Sequence, residues 1–234
     1  MTNQTVHLSK RLAAIAAFVD SDARVADIGT DHALLPIALV QAHQANFVVA
    51  SDIGAGPVGI ARKNVAAHGL TAQQIDVRQA DGLAGLSLND GLDTIIIAGM
   101  GGELICKILT AGQTHLDGTE TLILSPHRDE NLVRQWLADH QCAILQEAIL
   151  TDEGHTYEII VAGQSQPAVQ YDAADILCGP FLRRERNAAF VAKWTRRERK
   201  LKGIIASMAA AQQPVETQLA AARKELQIIQ EVLA

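Results

Sequence analysis

The stretch Val25-Ala26-Asp27-Ile28-Gly29-Thr30-Asp31-His32 constrains the fold more than any other part of this chain. An apolar run that ends in an acid, turns on a glycine and passes into a helical pattern is a strand feeding a parallel sheet. A second run, Phe47-Val48-Val49-Ala50-Ser51-Asp52, ends in another acid 25 residues after the first. Two such strand-end acids, each followed by a helix, describe neighbouring strands of a nucleotide-binding α/β sheet. Thr30 through Leu35 holds no glycine. That argues against a nicotinamide dehydrogenase, whose G-x-G-x-x-G turn lets a helix N-terminus reach a pyrophosphate.

Periodicity places the remaining elements. Helices are expected over Leu8 to Val19 with Ser9 near the start, Leu35 to His43 with Pro36 in its first turn, and Pro57 to His68 with Gly69 as its C′ residue. A third strand, Ile75 to Ala80, stops at Asp81-Gly82. The mainly apolar fourth, Leu92 to Ala98, reads as buried on both faces and runs into Gly99-Met100-Gly101-Gly102. A helix from Glu103 to Leu109, a strand over Thr121 to Leu124 and a helix from Glu130 to His140 follow. Ala143 to Leu150 and Tyr157 to Ala162 flank a turn with Gly154 and form an antiparallel pair. Right-handed crossovers then give a seven-stranded, mostly parallel sheet with one reversed strand and a terminal β-hairpin. The pattern predicts a domain over 1–163, a linker at Gln164 to Pro167, and a helical domain over 164–234. There Val215, Leu219, Ala222, Leu226, Ile229 and Leu233 form a heptad seam that can fold back at Pro214 as a coiled coil.

The strand ends carry the chemistry. A carboxylate at each of two tips suits a ligand with a cationic amine and a ribose diol, and S-adenosylmethionine has both. Asp27 is placed at the amine, Gly29 leaves room for the cofactor, Asp52 and the adjoining Ile53 meet the ribose, and Asp81 and Gly82 flank the adenine. Asp31 and His32 read either as site residues or as a helix cap and a turn histidine. Ala98, Gly99 and Met100 are placed where an acceptor atom comes closest to the cofactor, glycine allowing backbone and base to approach. Ser125-Pro126-His127-Arg128 either contacts the acceptor or begins a helix.

A net charge of −6 hides a strong asymmetry. Between Phe181 and Lys202 stand nine basic residues, Arg183, Arg184, Arg186, Lys193, Arg196, Arg197, Arg199, Lys200 and Lys202, against Glu185 and Glu198; the local charge is +7, leaving −13 elsewhere. This is either a solvated helix face or a phosphate-contacting one, and its steepness favours phosphate, hence nucleic acid. Cys106, Cys142 and Cys178 are widely spaced and read as free thiols of a cytoplasmic protein; the eight histidines lack ligand spacing, so no structural metal is expected. No apolar run reaches membrane-spanning length, and the N-terminal residues lack the pattern of a signal peptide.

Several blocks together carry a resemblance: Leu8-Ser9-Lys10-Arg11-Leu12, Ala26-Asp27-Ile28-Gly29-Thr30-Asp31-His32-Ala33-Leu34-Leu35-Pro36, Gly56-Pro57 with Lys63-Asn64-Val65, Asp81-Gly82-Leu83, Ile97-Ala98-Gly99-Met100-Gly101-Gly102, and Tyr157-Glu158-Ile159-Ile160. They resemble the bacterial tRNA (adenine-22-N1)-methyltransferase family, TrmK, over essentially the whole chain. The resemblance implies a class I, Rossmann-like methyltransferase domain with a C-terminal helical coiled coil, S-adenosylmethionine as cofactor, and tRNA as partner, in a monomer or weak dimer. It also implies Asp27, Gly99 and Met100 as the catalytic group. His127, Arg128 and the basic helix, from Arg183 to Lys200, then serve the tRNA. Where that family carries Gln-Pro-Asn after the fifth strand, this chain has Ser125-Pro126-His127.

Overall fold

The computed structural model describes residues 6–210 and 216–234. The expected turn at Pro214, the seam residue Val215 and the first five residues lie outside them. The chain begins α1 (Lys10–Ala16), β1 (Ala23–Ile28), α2 (Leu34–Gln41), β2 (Ala45–Asp52), α3 (Ala55–Ala67) and β3 (Ile75–Gln79). It continues β4 (Thr94–Met100), α4 (Gly102–Gly112), β5 (Thr121–Pro126), α5 (Glu130–Asp139), β6 (Cys142–Asp152) and β7 (His155–Gln164). Helices α6 (Ala173–Cys178), α7 (Leu182–Glu185), α8 (Ala188–Ala209) and α9 (Glu216–Leu233) follow.

The seven strands form one sheet in the order β3-β2-β1-β4-β5-β7-β6. Its first five members are parallel, and β7 runs against both of its neighbours as the one reversed strand. Glu153 and Gly154, both at positive φ, make the two-residue turn between β6 and β7. Alternation along the strands sorts the core onto two faces. Val25, Val48, Ala50 and Ile96 join Ile15, Leu39 and Val65 on one side; Ala26, Val49, Ile95 and Ile97 join Ile105, Leu109, Val133 and Leu137 on the other.

Two expectations shift. Helix α2 starts at Leu34, after Asp31 and Ala33 at positive φ, with no side chain capping it. Asp81-Gly82 opens a 3-10 turn, Gly82–Gly85, that the alternating pattern of β3 did not foretell. Ser9 does cap α1, accepting from the Leu12 N–H at 3.2 Å. Among the described residues no helix is long and apolar enough to cross a membrane.

Helices α8 and α9 pair antiparallel within the chain. The Arg186 guanidinium at the head of α8 donates to the Leu233 carbonyl at the tail of α9, and Arg197 is held bidentately by Glu225 at 2.7 and 2.9 Å. Phe190, Trp194, Leu201 and Ile229 fill a small core of their own with Ile149 and Cys178. A buried ionic network fixes this unit to the sheet. Arg134 of α5, fully buried, bridges Glu147 of β6 and Glu158 of β7, and Lys193 of α8 reaches both Glu158 at 2.7 Å and Glu130 at 2.6 Å. Glu147 also accepts the Phe181 N–H at 2.9 Å. Burial pushes the Glu158 carboxyl up, but Arg134 and Lys193 outweigh it and hold it below the usual range.

Candidate active site

The tips of β1, β2, β4 and β5 build the site. After β1 the chain turns because the Gly29 and Thr30 amides both donate to the Ser51 carbonyl of β2, at 2.8 and 2.9 Å. Gly29 sits at φ +77°, and a Cβ there would overlap Cε of Met100. Asp27 is only 6% exposed and accepts the Thr30 hydroxyl at 2.7 Å. Burial lifts its pKa to about 6; the Thr30 hydrogen bond and Arg11 pull the other way, and Asp52 adds to the rise. One Asp52 oxygen accepts the Gly54 N–H at 2.8 Å.

At the tip of β4 the register against β5 skips Gly99: Ala98 pairs with Ser125 and Met100 with Pro126. This bulge turns Gly99, at φ +81°, out of the ladder. A Cβ on Gly99 would stand 3.8 Å from both Arg11 Nη1 and His127 Nε2, so these two groups rim the hollow above it. The His127 N–H donates to the Met100 carbonyl at 2.8 Å, and the Gly102 N–H to the Arg128 carbonyl at 2.9 Å, pinning the two loops together. Burial, Arg11 and His155 hold the His127 imidazole below its ordinary pKa, hence neutral at pH 7. Tyr157 stands behind both rim groups, with Arg11 over its face at 5.2 Å and the His127 ring edge-on at 5.8 Å.

A cavity of about 440 Å³ opens between these tips. Asp27, Gly29, Asp31, His32 and Asp52 line it from the first two strand ends, and Ala98, Gly99 and Met100 from the fourth strand. Ile53 is 65% exposed and does not line it. Asp81 and Gly82 border a separate hollow of about 340 Å³, where Gly82 faces Ile108 of α4. Sequence reasoning missed Arg11 as a site residue. Its Nη1 is buried with no hydrogen-bond partner among the described residues, while its backbone N–H is docked on Asp152 at 3.1 Å. The donor set fits S-adenosylmethionine: carboxylates for the ammonium and the ribose, and a spare guanidinium nitrogen for the carboxylate. Among the described residues no group of three or more His, Cys, Asp or Glu is placed to hold a metal ion.

The basic segment is less free than its charge suggests. Arg183 is paired with Asp172 and Asp175, Lys193 with Glu130 and Glu158, Arg197 with Glu225, and Lys202 with Glu198. Arg184 lies over the Phe181 ring at 5.7 Å. Arg196, Arg199 and Lys200 are exposed on α8 without a carboxylate partner among the described residues, whereas the Arg128 side chain, 80% exposed, is paired with Asp129 at 3.5 Å.

A sheet of this order, with acids at the tips of β1 and β2 and a bulged glycine at the tip of β4, defines a Rossmann-like methyltransferase of class I. The chain is similar to the tRNA (adenine(22)-N(1))-methyltransferase of Bacillus subtilis, 43% identical over 192 residues that make up 80% of each chain. It belongs to the TrmK family, tRNA (adenine(22)-N(1))-methyltransferase, whose model matches residues 25–231. The crystal structure of B. subtilis TrmK superposes with a TM-score of 0.91 at 37% identity, covering 98% of this chain and 100% of that one. Streptococcus pneumoniae Sp1610 in complex with S-adenosyl-L-methionine superposes at 0.88 with 39% identity, covering 97% and 100%.

Proposed function

We propose that this chain transfers the methyl group of S-adenosylmethionine to N1 of adenine 22 in tRNA. The observation that carries this reading is the convergence of Asp27, Asp52 and the unpartnered Arg11 nitrogen on one cavity beside the bulged Gly99. Residues 1–163 hold the cofactor and residues 164–234 meet the RNA. The seam between α8 and α9 is filled within the chain, which supports a monomer. The setting is the cytoplasm, where tRNA is modified.

Bound S-adenosylmethionine supplies an electrophilic methyl group. Asp27 receives the ammonium, Asp52 the ribose hydroxyls and Arg11 the carboxylate, so the three polar handles are met by groups on three different elements. N1 of neutral adenine has an in-plane lone pair, so no residue has to remove a proton before attack. What the protein supplies is alignment and electrostatics. The exposed backbone at Gly99 lets the base come close, and the ionised Asp27 favours the cationic ring that forms. Because His127 is held below its ordinary pKa, it adds no second positive charge to that of Arg11 on the rim. N1 lies on the Watson–Crick edge, so the base must leave any pair or stack first. Arg196, Arg199 and Lys200 remain free for phosphates, and the exposed Arg128, paired with Asp129 at 3.5 Å, can add to them; Arg183, Lys193 and Arg197 act instead as internal ties.

The test is methyl transfer from labelled S-adenosylmethionine to unmodified tRNA transcripts with adenine or guanine at position 22, followed by mapping of the label. Label on N1 of that adenine alone is the expected result. Cofactor binding without labelling of any tRNA overturns the reading.

A further inference from the structure

A second cavity, of about 480 Å³, lies between the tip of β5 and the side of α8. His127 lines both this cavity and the cofactor cavity, so the two share a wall. Its remaining border includes Arg128, paired with Asp129 at 3.5 Å on the same border, and Thr156, Trp194, Arg196 and Lys200. The internal ion pairs decide its character. Lys193 and Arg197, also on its border, are neutralised by Glu130 and Glu225, whereas Arg196 and Lys200 have no carboxylate partner among the described residues. Arg196 makes only a long contact to the Thr156 hydroxyl at 3.5 Å. These two residues stand four apart on α8, one above the other on one face of the helix. The cavity therefore presents two neighbouring cations to an occupant, directly across His127 from the hollow at Gly99.

We propose that this cavity is a subsite for the RNA backbone, in which Arg196 and Lys200 hold a phosphodiester flanking the target adenosine while its base passes His127 toward the cofactor. This rests on the reading of the chain as a tRNA methyltransferase and adds the place and partners of one linkage. An anion bound there fixes the backbone next to the extruded nucleotide, so its binding energy serves alignment of N1 as well as affinity. Arg199 sits on the same helix with the same charge but outside the cavity. It contributes to the general field and not to this linkage.

The experiment is a coupling measurement with tRNA carrying a neutral methylphosphonate at either linkage flanking adenine 22. In the unaltered protein one of the two is expected to lower kcat/KM about tenfold, which is about 1.4 kcal/mol. In Arg196→Ala/Lys200→Ala the same substitution is expected to change kcat/KM less than about twofold, because the partner of the charge is already gone. Arg199→Ala is expected to keep the tenfold sensitivity, and S-adenosylmethionine affinity to stay level in all three proteins. Equal sensitivity in all three, or none in any, overturns the subsite while methylation of adenine 22 still stands. Loss of any tRNA methylation by the unaltered protein, with cofactor binding intact, removes the underlying reading instead.

Discussion

Replacing Asp27 by Asn sets stability against function at one atom. Asp27 is buried at the tip of β1, and burial raises its carboxyl from the ordinary 3.8 to about 6. The folded protein thus binds this proton more tightly than the unfolded chain does. Its stabilising effect is complete below about pH 3.8 and is lost as pH rises through about 6. By pH 7 the loss amounts to about 3 kcal/mol, at 1.36 kcal/mol per pH unit. The Asp27→Asn amide still accepts the Thr30 hydroxyl but carries no charge, so it escapes that loss. Urea unfolding from pH 4 to pH 7 is the assay. The variant is expected to match the unaltered protein near pH 4 and to exceed it by about 3 kcal/mol at pH 7. Excess S-adenosylmethionine, worth about 2.7 kcal/mol at a hundredfold over Kd, stabilises only the unaltered protein fully. A stability difference that does not change with pH would refute the assignment of the buried charge.

Arg11→Gln is expected to weaken S-adenosylmethionine binding by about 10- to 100-fold in calorimetry, the worth of a hydrogen bond to a charged group; an unaltered Kd takes Arg11 out of the cofactor site. Gly29→Ala combines a positive φ with overlap at Met100, so it should cost about 1–3 kcal/mol in denaturant unfolding, and Met100→Ala in the same chain should return part of it. Arg134→Met strands Glu147 and Glu158 without their shared partner. A loss of about 3–5 kcal/mol is expected, and a change under about 1 kcal/mol would mean the buried carboxylates find other partners.

The strand-end pattern reads through to the structure because its causes are local. Asp27 and Asp52 end strands whose apolar runs are buried on both sheet faces, and parallel pairing puts their tips side by side. Arg11 was not legible as a site residue because its place depends on α1 docking against Asp152, 141 residues away. Charge counting found the basic segment but not its neutralisation, since Glu130 and Glu158 come from 63 and 35 residues before Lys193. Helices α6 and α7, six and four residues long, are too short to show a hydrophobic period. The reciprocal cap between Asp172 and Asp175 and the Gly179-Pro180 stop are the written signals for α6.

The ionic network through Arg134, Glu158 and Lys193 has a consequence for substrate choice. Glu158 of β7 and Arg134 of α5 are both fully buried, so moving α8 away would leave Glu158 without Lys193, a cost that opposes such a displacement. The network thus favours one separation between the methyl donor's cavity and the free cations of α8. On the proposed reading, an RNA whose backbone spans that separation with one adenosine extruded fits the enzyme better than one that does not, so form counts alongside base identity.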